Sequence, residues 1–439
     1  MLTGKRVDVG LRRILLAVAV LGLALWGVQF AVRATPGEPP HTPLLPDVLG
    51  AFGADAPVHS VDDWVERRAP ILRGAFQRLV YGDLPPTVAP VVTSRGVIDE
   101  KAFAGQARIE EWLLDVPLHS EHVRFHALVV TPTHAVGPLP VVITTNFCGN
   151  RAALAGHYKT VDRPAWTPGR CHTPLQQWTV ETLHGADIIA PPFETLARAG
   201  YAVVSFFPGE IVEDDVVLSR ASLAALSADM DERAPRTGAL AAWAWGYSRA
   251  IDAVSVDRQF NPKEIALWGH SRFGKAALLA AAFDPRAAAV IANQSGTFGA
   301  ALSRRSRGET LREVTKSFPY WFSPTVQQYA RKPDALPLDQ HLLIALIAPR
   351  PILLGGARLD RWSDPAGAFA AARAAGPVYE LFGQEGIEQP SFAHTNLKAR
   401  VATYVRPGGH GVRPRDWRET IAFLDQHLKG RRPSHATSL

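Results

Sequence analysis

The sequence is poor in cysteine and contains no long run of lysine or arginine. Its 439 residues include two cysteines, Cys148 and Cys171, and such a distant pair forms no metal-binding motif. The formal net charge is +6, and the excess is spread thinly outside the first thirteen residues. Such a chain has no basic face for phosphate groups, so nucleic acid is excluded as a partner.

Disorder is excluded as the main state of the chain. Hydrophobic residues make up 47% of the sequence and charged residues 20%, which is the composition of a chain that folds around a core. Residues 35–47 are rich in proline and predict an extended spacer. No repeat, low-complexity tract or second linker follows. We therefore predict one catalytic domain over residues 48–430 and a tail of residues 431–439.

The chain begins with a basic cluster followed by an uncharged apolar run, residues 14–32. A run of this length is enough to span a bilayer of roughly 30 Å at about 1.5 Å per residue. Small residues near Ala34 also suit a signal peptidase, so residues 1–34 are either a cleaved signal or a membrane anchor. In both cases the basic end stays in the cytoplasm, and we expect a periplasmic or secreted domain.

Export leaves two states open for the cysteines. An oxidising compartment allows Cys148 and Cys171 to form a disulfide, whereas the alternative is a pair of buried thiols. We expect the exported protein to be a monomer, attached to the inner membrane only if residues 14–32 remain in place.

Short apolar segments alternate with helical patterns along the exported part. Several are apolar at nearly every position, as in parallel strands that are covered on both faces. The predicted strands are residues 123–130, 139–145, 201–207, 265–269, 288–293, 351–356 and 378–382. Helical spacing predicts helices over residues 237–254 and 416–429, the second capped by Asp416 or the residue before it. This alternation predicts a doubly wound or barrel α/β fold, with its active site at the carboxyl ends of the strands.

The most specific feature is a nucleophile elbow at residues 265–275, IALWGHSRFGK. A short apolar strand leads into Gly269, His270 and Ser271, and a helical segment follows. A tight strand-to-helix turn exposes a serine to a histidine and to the N–H groups of the helix start. Phe273 stands two positions after the serine and Gly274 three positions after it, so the turn departs from the general G-x-S-x-G pattern.

An acid and a histidine follow the serine in the order that this fold uses. Asp360 comes just after the predicted strand 351–356, where a triad acid would orient an imidazole. Asp364 precedes a proline and is interpreted as a turn residue. His410 is the predicted base, because the glycines around it allow close approach of the backbone to the serine.

Two other histidines were weighed against His410. His341 lies in an apolar, helix-like segment and is interpreted as a buried structural histidine. His394 lies in an irregular segment and is the second candidate for the base.

With these residues placed, the chain resembles the glucuronoyl esterases, carbohydrate esterase family 15, and in particular their bacterial members. The family motif G-x-S-R-x-G-K is matched by the segment from Gly269 to Lys275, and the similarity runs from about residue 139 to 427. The resemblance implies an α/β-hydrolase fold, a mostly parallel doubly wound sheet in a three-layer sandwich. It also implies metal-free hydrolysis of the ester between 4-O-methylglucuronic acid of glucuronoxylan and lignin alcohols, with a plant cell-wall glycan ester as substrate.

The resemblance also implies roles around the serine. The Arg272 side chain would help to hold the oxyanion. Lys275 and Glu309 match positions that bind sugar hydroxyls, and Trp362 matches the tryptophan at the uronate. A planar cation, a carboxylate and an indole suit these tasks chemically.

Gln294 is a departure from the family pattern. Many members carry their triad acid in a Glu-Ser-Gly segment, where this chain has Gln294-Ser295-Gly296. A glutamine cannot stabilise an imidazolium by charge. We therefore predict that Asp360 alone is the triad acid, and we place Gln294 among the residues of the sugar-binding site.

Two alternative functions remain at this stage. The same triad would serve an acetylxylan esterase or another carbohydrate ester hydrolase, because both kinds of ester share a tetrahedral intermediate. From a different class comes an inactive, membrane-tethered glycan-binding protein, which Gln294 favours. A peptidase on the same scaffold is disfavoured, because the chain shows no separate propeller or lid domain.

Overall fold

A nine-stranded sheet forms the centre of the protein in a computed structural model. The structure describes residues 44–118, 121–154, 161, 164–228, 230, 236–305 and 308–429. The strands are β1 (Val91–Lys101), β2 (Ala107–Pro117), β3 (His122–Pro132), β4 (Leu139–Thr145), β5 (Ala202–Phe206), β6 (Phe260–His270), β7 (Ala289–Asn293), β8 (Ile352–Ala357) and β9 (Val401–Arg406). The predicted leader (1–34) and tail (431–439) lie outside the described residues, as does most of the spacer.

The strand order is β1-β2-β3-β5-β4-β6-β7-β8-β9. The three pairs β1–β2, β2–β3 and β3–β5 are antiparallel. The five remaining pairs, from β5–β4 to β8–β9, are parallel. This confirms the mostly parallel sheet and excludes the closed barrel, since β1 and β9 lie at opposite edges. The carboxyl ends of β6, β7, β8 and β9 therefore meet along one side of the sheet.

Helices cover both faces of the sheet. The α-helices of six or more described residues are α1 (Ala69–Phe76), α2 (Pro174–His184), α3 (Phe193–Arg198), α4 (Ser219–Leu226), α5 (Ala239–Ser255), α6 (Arg272–Phe283), α7 (Leu311–Ser317), α8 (Gln340–Ala345), α9 (Pro365–Leu381) and α10 (Pro414–His427). Among the described helices, none is both long and apolar enough to span a bilayer.

Alternate residues of the central strands enter two separate cores. In β6, Ile265 and Leu267 join the core that contains α5 and α6, whereas Ala266 and Trp268 join the core that contains α3 and α10. Because successive side chains of a strand point to opposite faces, the sheet is the middle layer of three. The fold is the α/β-hydrolase sandwich that the resemblance implied.

One predicted strand is wrong. Residues 378–382 belong to the end of α9, not to the sheet. Val378 and Tyr379 are buried together with Ala371, Ala372 and Ala375, so the apolar stripe has helical spacing and continues past Pro377. The strand that pairs with β8 at the edge of the sheet is β9, which begins at Val401.

Helix α10 begins two residues earlier than predicted. Arg413 is its N-cap and Pro414 its first residue. Asp416 lies inside the first turn, where its carboxylate accepts a hydrogen bond from the Arg413 N–H at 2.8 Å. The predicted cap, Asp416 or the residue before it, is therefore wrong. Pro414 occupies the first helical position, which a proline suits, and this places the cap at Arg413.

The two cysteines form a disulfide, which resolves the alternative that the sequence left open. Their Cα atoms are 5.4 Å apart. Cys148 follows the end of β4, and Cys171 lies just before α2, so the bond fixes the segment ahead of α2 to the carboxyl edge of the sheet.

Candidate active site

Ser271 is the single residue between β6 and α6. Its backbone has φ +56° and ψ −126°, the strained geometry expected at a nucleophile elbow. A Cβ added at Gly269 would lie 2.1 Å from the carbonyl oxygen of Phe273, and one at Gly274 would lie 3.0 Å from that of Gly269. Close packing of the helix against the strand therefore requires glycine at both positions.

Phe273 explains why the motif departs from G-x-S-x-G. Its side chain turns away from the strand into the core, with its ring centroid 4.7 Å from that of Phe147 and 5.3 Å from that of Trp243. The position two after the serine can therefore hold a large side chain. The close approach falls one residue later, at Gly274.

Asp360 and His410 contact each other directly. Asp360 follows β8, His410 follows β9, and the two neighbouring strands bring Asp360 Oδ2 to 2.7 Å from His410 Nδ1. Asp360 is buried, whereas 27% of the His410 side chain is exposed. A histidine held in this way has its other ring nitrogen free to accept a proton.

The Asp360 carboxyl group is held ionised. Burial raises its pKa, but the hydrogen bonds from His410 and Ser363 outweigh burial and hold the pKa below its usual value. Ser363 donates from its hydroxyl at 2.6 Å and from its N–H at 3.2 Å. Asp360 therefore remains an anion opposite the imidazole.

Asp364, His341 and His394, which were interpreted as a turn residue, a structural histidine and the second candidate for the base, do not border the cavity. Asp364 caps α9, since its side chain accepts a hydrogen bond from the Gly367 N–H, and it also pairs with Arg305. His341 is fully buried in α8, with Nε2 2.8 Å from the carbonyl oxygen of Pro46. His394 is exposed, and its Nδ1 bonds to Ser391.

Ser271 and His410 border a small cavity of about 110 Å³. The predicted sugar-site residues and Arg272 border it too, while Asp360 lies behind His410. The full lining is Ser271, Arg272, Lys275, Gln294, Ser295, Gly296, Glu309, Phe318, Trp321, Trp362, Ser363 and His410. The structure thus brings together residues from the carboxyl ends of β6, β7, β8 and β9.

Lys275 and Glu309 form a buried ion pair at the floor of this cavity. Their side chains are 3% and 4% exposed, and Lys275 Nζ also donates to the carbonyl oxygen of Thr297. Burial lowers the pKa of Lys275, and the adjacent Glu309 opposes that shift. The pair presents a cation and an anion side by side, which suits a ligand whose neighbouring hydroxyls both donate and accept hydrogen bonds.

Trp362 borders the opening of the cavity, with 48% of its surface exposed. Its carbonyl oxygen accepts a hydrogen bond from the Glu309 N–H at 2.8 Å, which joins the two loops that carry these residues. Gly308 has φ +78°, and a Cβ there would lie 2.7 Å from the Trp362 carbonyl oxygen. Glycine is therefore required where the loops cross.

Arg272 is oriented by an acid that the sequence analysis missed. Its guanidinium pairs with Asp214, which also accepts hydrogen bonds from Tyr320 Oη at 2.7 Å and Trp321 Nε1 at 2.9 Å. The Arg272 Cζ atom lies 5.3 Å from the Trp321 ring centroid. Burial lowers the pKa of Arg272 to about 10, so the side chain remains a cation at neutral pH.

Gln294 uses both ends of its amide on one peptide unit. Its Oε1 accepts from the Gly411 N–H at 3.0 Å, and its Nε2 donates to the Gly411 carbonyl oxygen, also at 3.0 Å. Although Gln294 borders the cavity, these bonds direct its amide toward the loop of His410.

Four site residues escaped the sequence analysis: Asp214, Ser363, Phe318 and Trp321. The aromatic segment FPYW at residues 318–321 was a usable signal, since a cluster of this kind can cover a sugar or cation. Asp214 carried no such signal, because it lies 58 residues from Arg272 in the chain.

Comparisons with known proteins show which family the chain resembles. A family model described as "Glucuronyl esterase, fungi" matches residues 185–383. A carbohydrate esterase from an unknown prokaryotic organism is 33% identical over 384 residues, covering 85% of this chain and 87% of that protein. A 4-O-methyl-glucuronoyl methylesterase of Schizophyllum commune is 33% identical over 277 residues, covering 58% of this chain and 67% of that protein.

Solved structures give the same result over nearly the whole domain. A structure described as a promiscuous esterase of carbohydrate esterase family 15, from a marine bacterial metagenome, matches with a TM-score of 0.77 at 31% identity, covering 89% of this chain and 98% of that one. A glucuronoyl esterase from Solibacter usitatus matches with a TM-score of 0.76 at 29% identity, covering 88% and 99%. The chain is therefore an esterase, and it belongs to the glucuronoyl esterases of carbohydrate esterase family 15.

Proposed function

We propose that this protein hydrolyses esters of 4-O-methylglucuronic acid, with Ser271 as nucleophile, His410 as base and Asp360 as the triad acid. The observation that carries the proposal is the shared cavity. Ser271 and His410 border the same small space as the buried Lys275–Glu309 pair. A uronate ester bound there would have its carbonyl carbon beside the serine and its ring hydroxyls beside the ion pair.

The reaction proceeds through an acyl-enzyme. Ser271 Oγ attacks the ester carbonyl carbon while His410 Nε2 takes the hydroxyl proton. The negative charge that develops on the carbonyl oxygen is stabilised by the N–H of Arg272 at the start of α6 and by the Arg272 guanidinium. Collapse of the tetrahedral intermediate breaks the bond to the alcohol oxygen, which receives the proton from His410.

Water completes the cycle. It attacks the acyl-enzyme carbonyl and gives its proton to His410, and the second tetrahedral intermediate releases the uronate and restores the Ser271 hydroxyl. Asp360 remains ionised throughout and stabilises the imidazolium form of His410. Each step uses side chains of this chain and water.

The sugar-binding residues favour the uronate side of the ester. Lys275 and Glu309 would bind adjacent ring hydroxyls, and Trp362 would cover one face of the sugar at the opening. We further propose that the alcohol belongs to lignin and that the enzyme acts outside the cytoplasm, as its leader sequence suggests.

The test is to compare hydrolysis of three substrates by the full chain: benzyl glucuronate, methyl galacturonate and acetylated xylan. Ser271→Ala removes the proposed nucleophile, and His394→Ala serves as a control for a histidine outside the cavity. We expect a strong preference for the glucuronate ester that disappears in Ser271→Ala and persists in His394→Ala. Equal activity of Ser271→Ala and the unmodified enzyme would refute the proposal.

A second candidate is a broader carbohydrate ester hydrolase that includes acetyl esters. The similarity to an esterase described as promiscuous favours it. Turnover of acetylated xylan at a rate equal to or above that of benzyl glucuronate would select this candidate. The contact between Asp360 and His410 argues against an inactive glycan-binding protein, since a binding site has no need of an oriented imidazole.

A further inference from the structure

We propose that Gln294 is a positioning residue that fixes the loop of His410 through the Gly411 peptide unit. This inference rests on the proposed function, because it concerns the base of that reaction. It gives a different meaning to the position where many family members carry their triad acid. In this chain, the position carries an uncharged amide that forms hydrogen bonds.

Both partners of this contact are held rigidly. Gln294 is 2% exposed, and its own N–H donates to the Gly355 carbonyl oxygen at 2.8 Å. Gly411 has φ +148°, and a Cβ there would lie 1.8 Å from the His184 carbonyl oxygen. The Gly411 peptide unit is therefore confined between β7 and α2, and Gln294 supplies it with one donor and one acceptor.

Arg406 also bonds to the loop, beside the contacts that His184 makes with the His410 carbonyl oxygen and the Val412 N–H. The Arg406 guanidinium donates to the carbonyl oxygens of Pro407, Gly409 and Gly411, and it is itself paired with the fully buried Asp416. The Arg406 guanidinium can only donate hydrogen bonds, so it bonds to carbonyl oxygens of the loop and not to its N–H groups. The Gly411 N–H bonds to Gln294, so Gln294 fixes the loop in a way that Arg406 cannot.

An amide suits this position and a carboxylate does not. An ionised carboxylate only accepts hydrogen bonds, so it would keep the bond from the Gly411 N–H but turn an oxygen toward the Gly411 carbonyl oxygen. Nor does His410 need a second acid, because its Nδ1 already bonds to Asp360. The glutamine is thus the residue that matches both atoms of Gly411.

The test uses Gln294→Glu and Gln294→Leu, with benzyl glucuronate as the substrate. Displacement of the base should lower kcat by about 10- to 100-fold and leave KM nearly unchanged, because the sugar contacts remain intact. Hydrogen exchange provides a measurement that is independent of activity. The peptide that contains Gly411 should exchange faster in Gln294→Leu than in the unmodified protein.

Gln389 offers a matched control. Its amide makes the same pair of bonds to Thr403 of β9: it accepts from the Thr403 N–H at 2.7 Å and donates to the Thr403 carbonyl oxygen at 3.0 Å. Neither residue borders the cavity. Gln389→Glu should disturb the structure to a similar degree while leaving kcat within about twofold of the unmodified value. An equal loss of kcat in Gln389→Glu would reduce the effect at Gln294 to general destabilisation.

Three results would overturn the proposal. A raised KM with unchanged kcat would make Gln294 a sugar contact. A gain of kcat in Gln294→Glu, or recovery of activity when it is added to Asp360→Asn, would make the position a reserve acid. Unchanged exchange at Gly411 would show that the amide does not fix the loop. If the unmodified enzyme failed to hydrolyse glucuronate esters, the proposed function would fall, whereas the exchange measurement would still test the contact.

Discussion

Asp360 is in an environment that stabilises its charge. It accepts hydrogen bonds from His410 and from both donors of Ser363. Since its pKa is lowered on folding, these bonds stabilise the protein fully above the ordinary aspartate pKa of 3.8, and the contribution is lost as the pH falls through the lower folded value. At neutral pH Asp360 therefore remains ionised beside the His410 imidazole.

Replacing this charge should disable the enzyme without unfolding it. We predict that Asp360→Asn lowers kcat on benzyl glucuronate by about 10³- to 10⁴-fold, because an amide favours the wrong tautomer of His410. The measurement is steady-state kinetics at neutral pH. Asp364→Asn, in the same loop but at the cap of α9, is the control and should keep kcat within about threefold. Near-normal turnover of Asp360→Asn would mean that another group serves as the acid.

Asp214 forms an ion pair with the Arg272 guanidinium and thereby orients it. We predict that Asp214→Asn lowers kcat by about 10-fold, less than the roughly 10²- to 10³-fold loss that follows removal of an oxyanion donor itself. The reason is that the guanidinium keeps its place over Trp321 but loses its ionic partner. Asp215→Asn is the control, since Asp215 accepts from the backbone N–H groups of Val217 and Leu218. Equal losses in the two variants would contradict the prediction.

At the residue scale, the sequence predicts candidate site residues where a local pattern marks them. Ser271 lies in a strand-to-helix turn between Gly269 and Gly274, His410 lies between two glycines, and Asp360 follows a buried strand, so each could be predicted from its neighbours. Asp214 and Ser363 could not, because an acid and a serine are ordinary loop residues until the fold brings them to Arg272 and Asp360. Their roles depend on contacts that no local pattern encodes.

At the scale of elements, the turn between β6 and α6 leaves no room for a side chain at Gly269 and little room at Gly274. We predict that Gly269→Ala lowers the free energy of unfolding by about 3 kcal/mol or more and Gly274→Ala by about 1 kcal/mol, because the clash is closer at Gly269. Chemical denaturation measures both. Gly169→Ala is the control, since a Cβ there meets nothing within 4 Å. Reversal of the order between the two variants would show that the turn relaxes around Gly269.

The elements that the sequence predicted well are those buried on both faces. Strand β4 was predicted at its observed bounds, and β6, β7 and β8 to within a few residues, because continuous apolar runs mark them. Strand β1 is largely exposed and β2 carries two consecutive glutamates, so neither has such a run. Residues 378–382 misled because five residues of a buried helix can be as apolar as a strand.

At the scale of the whole molecule, the composition and the alternation of elements indicated an α/β fold, and the motif indicated which one. The strand order could not be read in the same way. Strand β5 lies between β3 and β4, and this placement depends on how the helices cover the two faces. Among the described residues, the antiparallel part from β1 to β3 contributes none to the cavity lining, whereas Ser271, Asp360 and His410 all follow strands of the parallel part.

The order of the strands along the chain also determines at which point of synthesis the site residues are all present. Ser271 precedes His410 by 139 positions, and Asp360 lies between them. The ribosome synthesises these residues in that order, so a nascent polypeptide carries the proposed nucleophile long before it carries the proposed base. Strand β9 pairs with β8 at the edge of the sheet, and His410 follows β9 in the chain. If these residues act as proposed, ester hydrolysis requires a polypeptide that extends beyond His410, and shorter fragments cannot cleave an ester by this route.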